Sequence, residues 1–224
     1  MKTRFTFVLL LVCFFGGNLT AQNLLNDSGF DQNSNIEKAD VSNKNTESGK
    51  WFAFLAKNQT GFDVDIQSDN VQGPVALLHT TTQKTWYRHY LMQRLSETPE
   101  KAVYRLSFKA KAGKNNAVLS SQIILTDGDG NKFYAIREGF NESKSTHSGA
   151  TSDVKLSKDW KTYELDFDLS KMCNNVNSPK SLGDKFQLTD ISDDALKDVR
   201  VTIQAYKSAP ARVFIDDVKF EKVK

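Results

Sequence analysis

Apolar residues recur at every second position along most of this chain, beginning with Trp51, Ala53 and Leu55 and again with Phe62, Val64 and Ile66. Further short apolar or alternating runs follow at 75–78, behind Gly73-Pro74, and at 89–95, 103–112, 117–126, 132–137, 160–169, 199–206 and 212–223. A period of two sends successive side chains to opposite faces of an extended strand, so these runs predict roughly ten strands, most with one face in a core. Helix is scarce. Residues 188–198 hold its one candidate, with Ser192 as N-cap ahead of Asp193 and Asp194. Residues 31–50 and 139–153 are polar and read as long surface loops.

Alternation also sorts the polar residues. If Val201, Ile203 and Ala205 face the core, Thr202, Gln204 and Tyr206 face outward; if Tyr104, Leu106 and Phe108 face in, Arg105, Ser107 and Lys109 face out. Leu119, Ile123 and Leu125 place Ser120 and Gln122 outward in the same way. In the last strand the parity set by Val213 and Ile215 flips before Val218 and Phe220, which predicts a β-bulge at Asp216-Asp217. Asp127-Gly128-Asp129-Gly130-Asn131 has the acid spacing of an EF-hand loop, with Glu138 at its twelfth position. Its sixth position is Lys132 where a glycine should turn the chain, and both flanks have strand character, so a hairpin turn is the better reading.

The opening residues change the picture of the whole chain. Lys2 and Arg4 precede an apolar run from Phe5 to Phe15 and then a small-residue stretch ending at Ala21-Gln22, the three-part pattern of a secretory signal peptide over 1–22. Cys13 raises lipoprotein anchoring as the lesser alternative, because Val12 stands where a small residue is wanted. A secreted or periplasmic location is expected, with no transmembrane segment. Removing residues 1–22, which carry Lys2 and Arg4 and no acid, lowers the formal charge of +3 by two, to +1. A nearly neutral chain gives no nucleic-acid footprint and no polybasic membrane patch. The remaining 23–224 suit one β-domain with its own core. Only Cys173 survives maturation, in a polar loop, so no intrachain disulfide is expected.

Four landmarks carry a family resemblance. Asn23-Leu24-Leu25-Asn26-Asp27-Ser28-Gly29-Phe30-Asp31 resembles the opening, and Ile215-Asp216-Asp217-Val218 the close, of the galactose-binding-like β-jelly rolls that include carbohydrate-binding modules of families 4, 9 and 22. Between them, Trp86 to Gln93 with 104–111, and Leu156 to Trp160, resemble that family's central block and strand start. The resemblance implies an all-β, two-sheet antiparallel jelly-roll sandwich. It also implies a structural calcium between the acid after the N-terminal Phe, here Asp31 in place of the usual glutamate, and the paired Asp216 and Asp217.

Sugar recognition needs flat apolar rings for pyranose C–H faces and planar polar groups for paired hydroxyls. Trp86, Tyr87, Tyr134 and Tyr206 are the stacking candidates, and Gln93, Arg105, Gln122 and Gln204 the hydrogen-bonding ones. Trp86, Tyr87 and Gln93 are the positions that the resemblance marks. Trp51 and Trp160 open strands and are expected in the core. Enzyme signatures are few: His79, His89 and His147 have no metal-ligand spacing, and no nucleophile elbow or phosphate loop occurs. The expectation is a non-catalytic module binding a polysaccharide or oligosaccharide on one sheet face, alone or beside a glycoside hydrolase or a cell-surface complex. A small glycoside hydrolase or lyase on the same fold, and a structural or adhesive surface module, stay open as alternatives.

Overall fold

The computed structural model describes residues 22–32, 36–40, 46–55, 62–80, 90–114, 117–140, 152–175, 182–206 and 211–223. The signal-peptide reading of 1–22, apart from Gln22, lies outside the described residues, as do Trp86 and Tyr87. In chain order the strands are β1 (Glu37–Asp40), β2 (Trp51–Leu55), β3 (Phe62–Asp69), β4 (Gly73–Thr80), β5 (Tyr90–Arg94), β6 (Val103–Lys114) and β7 (Val118–Thr126). They continue with β8 (Lys132–Arg137), β9 (Ser152–Lys155), β10 (Lys161–Cys173), β11 (Leu188–Asp190), β12 (Val199–Tyr206) and β13 (Ala211–Lys222).

Hydrogen bonding runs without a break along β1-β2-β5-β12-β7-β8-β10-β6-β13-β4-β3, with β9 added to β7 and β11 to β10. Two layers result, β1-β2-β5-β12-β7 and β10-β6-β13-β4-β3, rolled into one another through β8. The inward residues of both layers, among them Val201, Ile203 and Ala205 of β12 and Leu106, Phe108 and Ala110 of β6, share one core cluster. This is the antiparallel jelly-roll sandwich that the family resemblance implied; the parallel pairing of β1 with β2 is an exception to it. Trp51 lies in that core, its ring tilted on Phe30 at 5.4 Å. Each such large apolar side chain contributes about 1.5–3 kcal/mol by leaving water.

Each of the ten anticipated strands is present, and β1, β9 and β11 are additions. β1 and β11 fall in stretches read as loop and helix, because pairing with a neighbour supplies the backbone partners that their polar sequences do not advertise. The short turn at Ala195–Lys197 is a 3-10 turn, with the Ala195 amide donating to Ser192 Oγ at 3.1 Å. The Asp127 turn is a hairpin: Asn131 N donates to Asp127 Oδ1 at 2.8 Å, and β7 pairs with β8. The bulge also lies where parity put it, with a register shift between Asp216 and Lys219 and Asp217 at φ 51°.

Two expectations about side chains need correction. Cys173 is the buried last residue of β10, its Sγ donating to the Asn175 carbonyl at 3.2 Å; its polar sequence neighbours hid an apolar site built by Ile136 and Phe186. Trp160 is only half-buried, outside the core, with Nε1 donating to Asp69 Oδ1 at 3.2 Å.

Candidate functional site

The outer face of the first layer is made by alternate residues of β5, β12 and β7. Register places Met92 opposite Thr202, Thr202 opposite Gln122, Gln204 opposite Ser120, and Arg94 opposite Arg200. A solvated outer face would leave such residues exposed. Here Ser120, Gln122, Arg200, Thr202 and Gln204 are each less than a tenth exposed, beside the buried Phe52, Met92 and Ile124. Burying polar groups is costly unless each is hydrogen-bonded. Thr202 Oγ1 donates to the Gln122 carbonyl at 2.8 Å, and Arg200 grips Asp198 in a fork, Nε to Oδ1 at 2.9 Å and Nη2 to Oδ2 at 2.8 Å. Among the described residues, Gln204 Nε2, Thr126 Oγ1 and Arg94 Nε have no hydrogen-bond partner. All three belong to residues of this face, by the parity of their strands.

The structure brings some of the sequence candidates together and separates others. Gln122 and Gln204 are diagonal neighbours across β7 and β12; Tyr206 ends β12, and its side chain lies outside the described residues. Tyr134 joins them through Ile124, its partner across β7 and β8. It packs on a side cluster of Ile136, Cys173 and Phe186, and burial pushes its phenol up, with Cys173 adding to the shift.

Arg105 belongs elsewhere. It stands on the outer face of the second layer, bonded to Asp166 through Nε at 2.8 Å and Nη2 at 3.0 Å and paired with Glu164 at 2.9 Å. Parity had correctly turned it outward, but it turned outward from the opposite sheet. Gln93 is also displaced from the expected set. It is fully buried on the core side of β5, between the core residues Leu91 and Leu95, and its amide serves the backbone of Asn26. Arg94 and Arg200 were missed. Stepping by two from Gln204 and Thr202 reaches Arg200, so that signal was available; Arg94 needed the register of β5.

The chain ends meet at a second constellation. Leu24 N donates to Phe220 O at 3.0 Å, Val218 N to Ser28 O at 2.9 Å, and Asn23 Oδ1 accepts from Phe220 N at 2.9 Å. The three described non-glycine residues with positive φ, Asp27, Phe30 and Asp217, all lie here. Such strain persists where surrounding structure fixes it, and it clusters at ligand clamps. A Cβ on Gly29 would sit 3.1 Å from Asp31 Oδ2 and 3.7 Å from Asp216 Oδ1, so the two carboxylates converge on that glycine. Burial pushes the Asp216 carboxyl above its ordinary value; the Asp217 amide opposes the shift, and the charges of Asp217 and Asp31 add to it. Asp217 turns away to Lys109, Oδ2 to Nζ at 2.8 Å, because the bulge reverses its side. Among the described residues no three His, Cys, Asp or Glu side chains gather for a metal, so a calcium here would depend on two carboxylates and on carbonyl oxygens.

Residues 23–220 match the family described as Domain of unknown function (DUF4627). The chain belongs to the DUF4627 family. No curated protein matches this DUF4627 sequence. Among solved structures, a candidate sugar-binding protein from Bacteroides thetaiotaomicron is 24% identical, with 90% of this chain and 100% of that chain covered and a TM-score of 0.78. The N-terminal CBM22-1-CBM22-2 tandem domain of Paenibacillus barcinonensis Xyn10C is 14% identical, over 91% of this chain and 46% of that one, at a TM-score of 0.51. At these identities the likeness is one of fold: the DUF4627 domain has the jelly roll of carbohydrate-binding modules. Among the described residues no helix is long and apolar enough to cross a membrane.

Proposed function

We propose that this DUF4627 protein is an exported, non-catalytic module that binds a polysaccharide or oligosaccharide on the outer face of β5, β12 and β7. One observation carries the reading: the polar side chains of that face are buried, and the Gln204 amide nitrogen has no hydrogen-bond partner among the described residues. A donor held in that way costs about 1–3 kcal/mol, which a sugar hydroxyl accepting from it would relieve. The fold shared with a candidate sugar-binding protein and with carbohydrate-binding modules supports the same reading. Gln122 and Gln204 would hydrogen-bond the ligand. Tyr134 and Tyr206, with Trp86 and Tyr87 a few residues before β5, would supply stacking surfaces.

Calcium would be structural in this scheme. Held by Asp31 and Asp216, it would neutralise two carboxylates that otherwise repel each other where the chain ends are pinned, and it would take no part in binding sugar.

Affinity gel electrophoresis of the mature protein against a panel of soluble polysaccharides tests the proposal. Retardation by at least one polymer, lost in Trp86→Ala or Gln204→Ala variants that keep the wild-type circular dichroism, is the expected result. Wild-type mobility unchanged across the whole panel would sink it.

A further inference from the structure

Resting on that glycan-binding reading, we infer that the ligand is acidic, with an anionic sugar substituent seated at the Arg94 end of the face. Arg94, Arg200 and Ile124 lie in one row across β5, β12 and β7, and Thr126 ends the same face of β7 opposite Lys132 of β8. Two cationic side chains, Arg94 and Arg200, thus meet at one carboxylate, Asp198. Both oxygens of Asp198 are occupied by the fork of Arg200. Arg94 Nε is 3.2 Å from Asp198 Oδ1 but makes no hydrogen bond, and a third of the Arg94 side chain is exposed. Other acids of the adjoining turns are engaged locally: Asp127 with Asn131, and Asp194 with the Gly128 amide and Lys197.

A guanidinium presents donors in a planar fork that matches a carboxylate or sulfate. Arg94 is attracted to Asp198 by charge while its Nε has no hydrogen-bond partner among the described residues, and the Thr126 hydroxyl, on the same sheet face, also has none among them. An anionic oxygen pair would bond the Arg94 guanidinium. Gln204, buried and with its own unpartnered donor, lies four residues further along β12 than Arg200, about 13 Å away at strand rise. One ligand reaching both points must be longer than a single ring. The face therefore reads an oligosaccharide with its charged substituent at a fixed place.

The test is isothermal titration of the full mature chain with oligogalacturonate, with the same oligomer after its carboxyl groups are reduced to alcohols, and with a chondroitin sulfate oligosaccharide. Binding to at least one acidic ligand is expected, together with a loss of about tenfold or more for Arg94→Gln, the usual worth of a charge-assisted bond. Preference for the uronate over the sulfated oligomer, or the reverse, identifies which anion is seated. Arg94→Lys should recover part of the loss. Equal affinity for the native and reduced oligomers, or binding of neutral glycans only, would overturn the acidic assignment while leaving glycan binding intact. Absence of binding to every glycan defeats the underlying reading as well. The native-against-reduced comparison needs no variant, so it decides the matter even if Arg94→Gln folds poorly.

Discussion

The side-chain amide of Gln93 closes on the backbone of Asn26 from both sides, Oε1 accepting from the Asn26 amide at 2.8 Å and Nε2 donating to its carbonyl at 2.9 Å. Trp51 adds Nε1 to the Asp27 carbonyl at 3.1 Å, so the N-terminal segment is fastened to β2 and β5 by two core side chains. Gly49 makes room for this clasp: a Cβ there would lie 2.4 Å from Asn26 Nδ2.

Gln93→Leu should therefore cost stability rather than ligand affinity. It removes both hydrogen bonds that Gln93 makes to the backbone of Asn26, each worth about 0.5–1.5 kcal/mol net, so a loss of about 1–3 kcal/mol in urea unfolding is expected. Glycan affinity per folded molecule should be unchanged. A variant as stable as the wild type would show that the clasp is not needed.

Gln204→Ala should behave in the opposite way. Its Nε2 has no hydrogen-bond partner among the described residues, so removing it relieves a penalty, and the melting temperature should hold or rise. Affinity for the glycan should fall by about tenfold, the worth of one good hydrogen bond to a buried donor. Titration and thermal melts on the same preparation separate the two effects.

Calcium should raise the melting temperature of chelator-treated protein, because a ligand that binds only the folded state stabilises it by mass action. Asp31→Asn and Asp216→Asn should each abolish that rise. Asp217→Asn should leave it, since Asp217 is turned to Lys109. A calcium-induced rise of equal size in Asp216→Asn would place the ion elsewhere.

Acid stability should depend on Asp69. Lys111 beside it, helped by the amides of Val71 and Gln72 and the Trp160 indole, holds its carboxyl down at about 2. The folded value lies below the unfolded one of about 3.9, so the unfolded chain takes up the proton first as pH falls. The stability from this group is complete above about pH 4 and is lost on the way down to about pH 2. Asp69→Asn should start less stable and lose less across that window, measured as urea midpoints at stepped pH.

What the binding face shows is how far alternation reaches. It placed Gln122, Gln204 and Arg105 outward, and each is on an outer face. It could not say that Arg105 faces out from the other sheet, because parity is a property of one strand, while sheet membership depends on which distant strand pairs with it. Gln93 illustrates the same limit from the other side. Its place between Leu91 and Leu95 marks it as inward, yet only the tertiary path of 23–31 reveals the backbone that its amide serves.

By itself the sequence determined ten of the thirteen strands, the hairpin at Asp127, the bulge at Asp216-Asp217 and most of the inward residues, all consequences of a two-residue period and of local turn chemistry. The tertiary structure alone decided which outward residues share a surface, that this surface is buried, that Arg94 and Arg200 meet at Asp198, and that Asp31 and Asp216 converge while Asp217 departs. Those are relations between segments far apart in the chain, fixed by register and by the rolling of one sheet onto the other, and no local pattern encodes them.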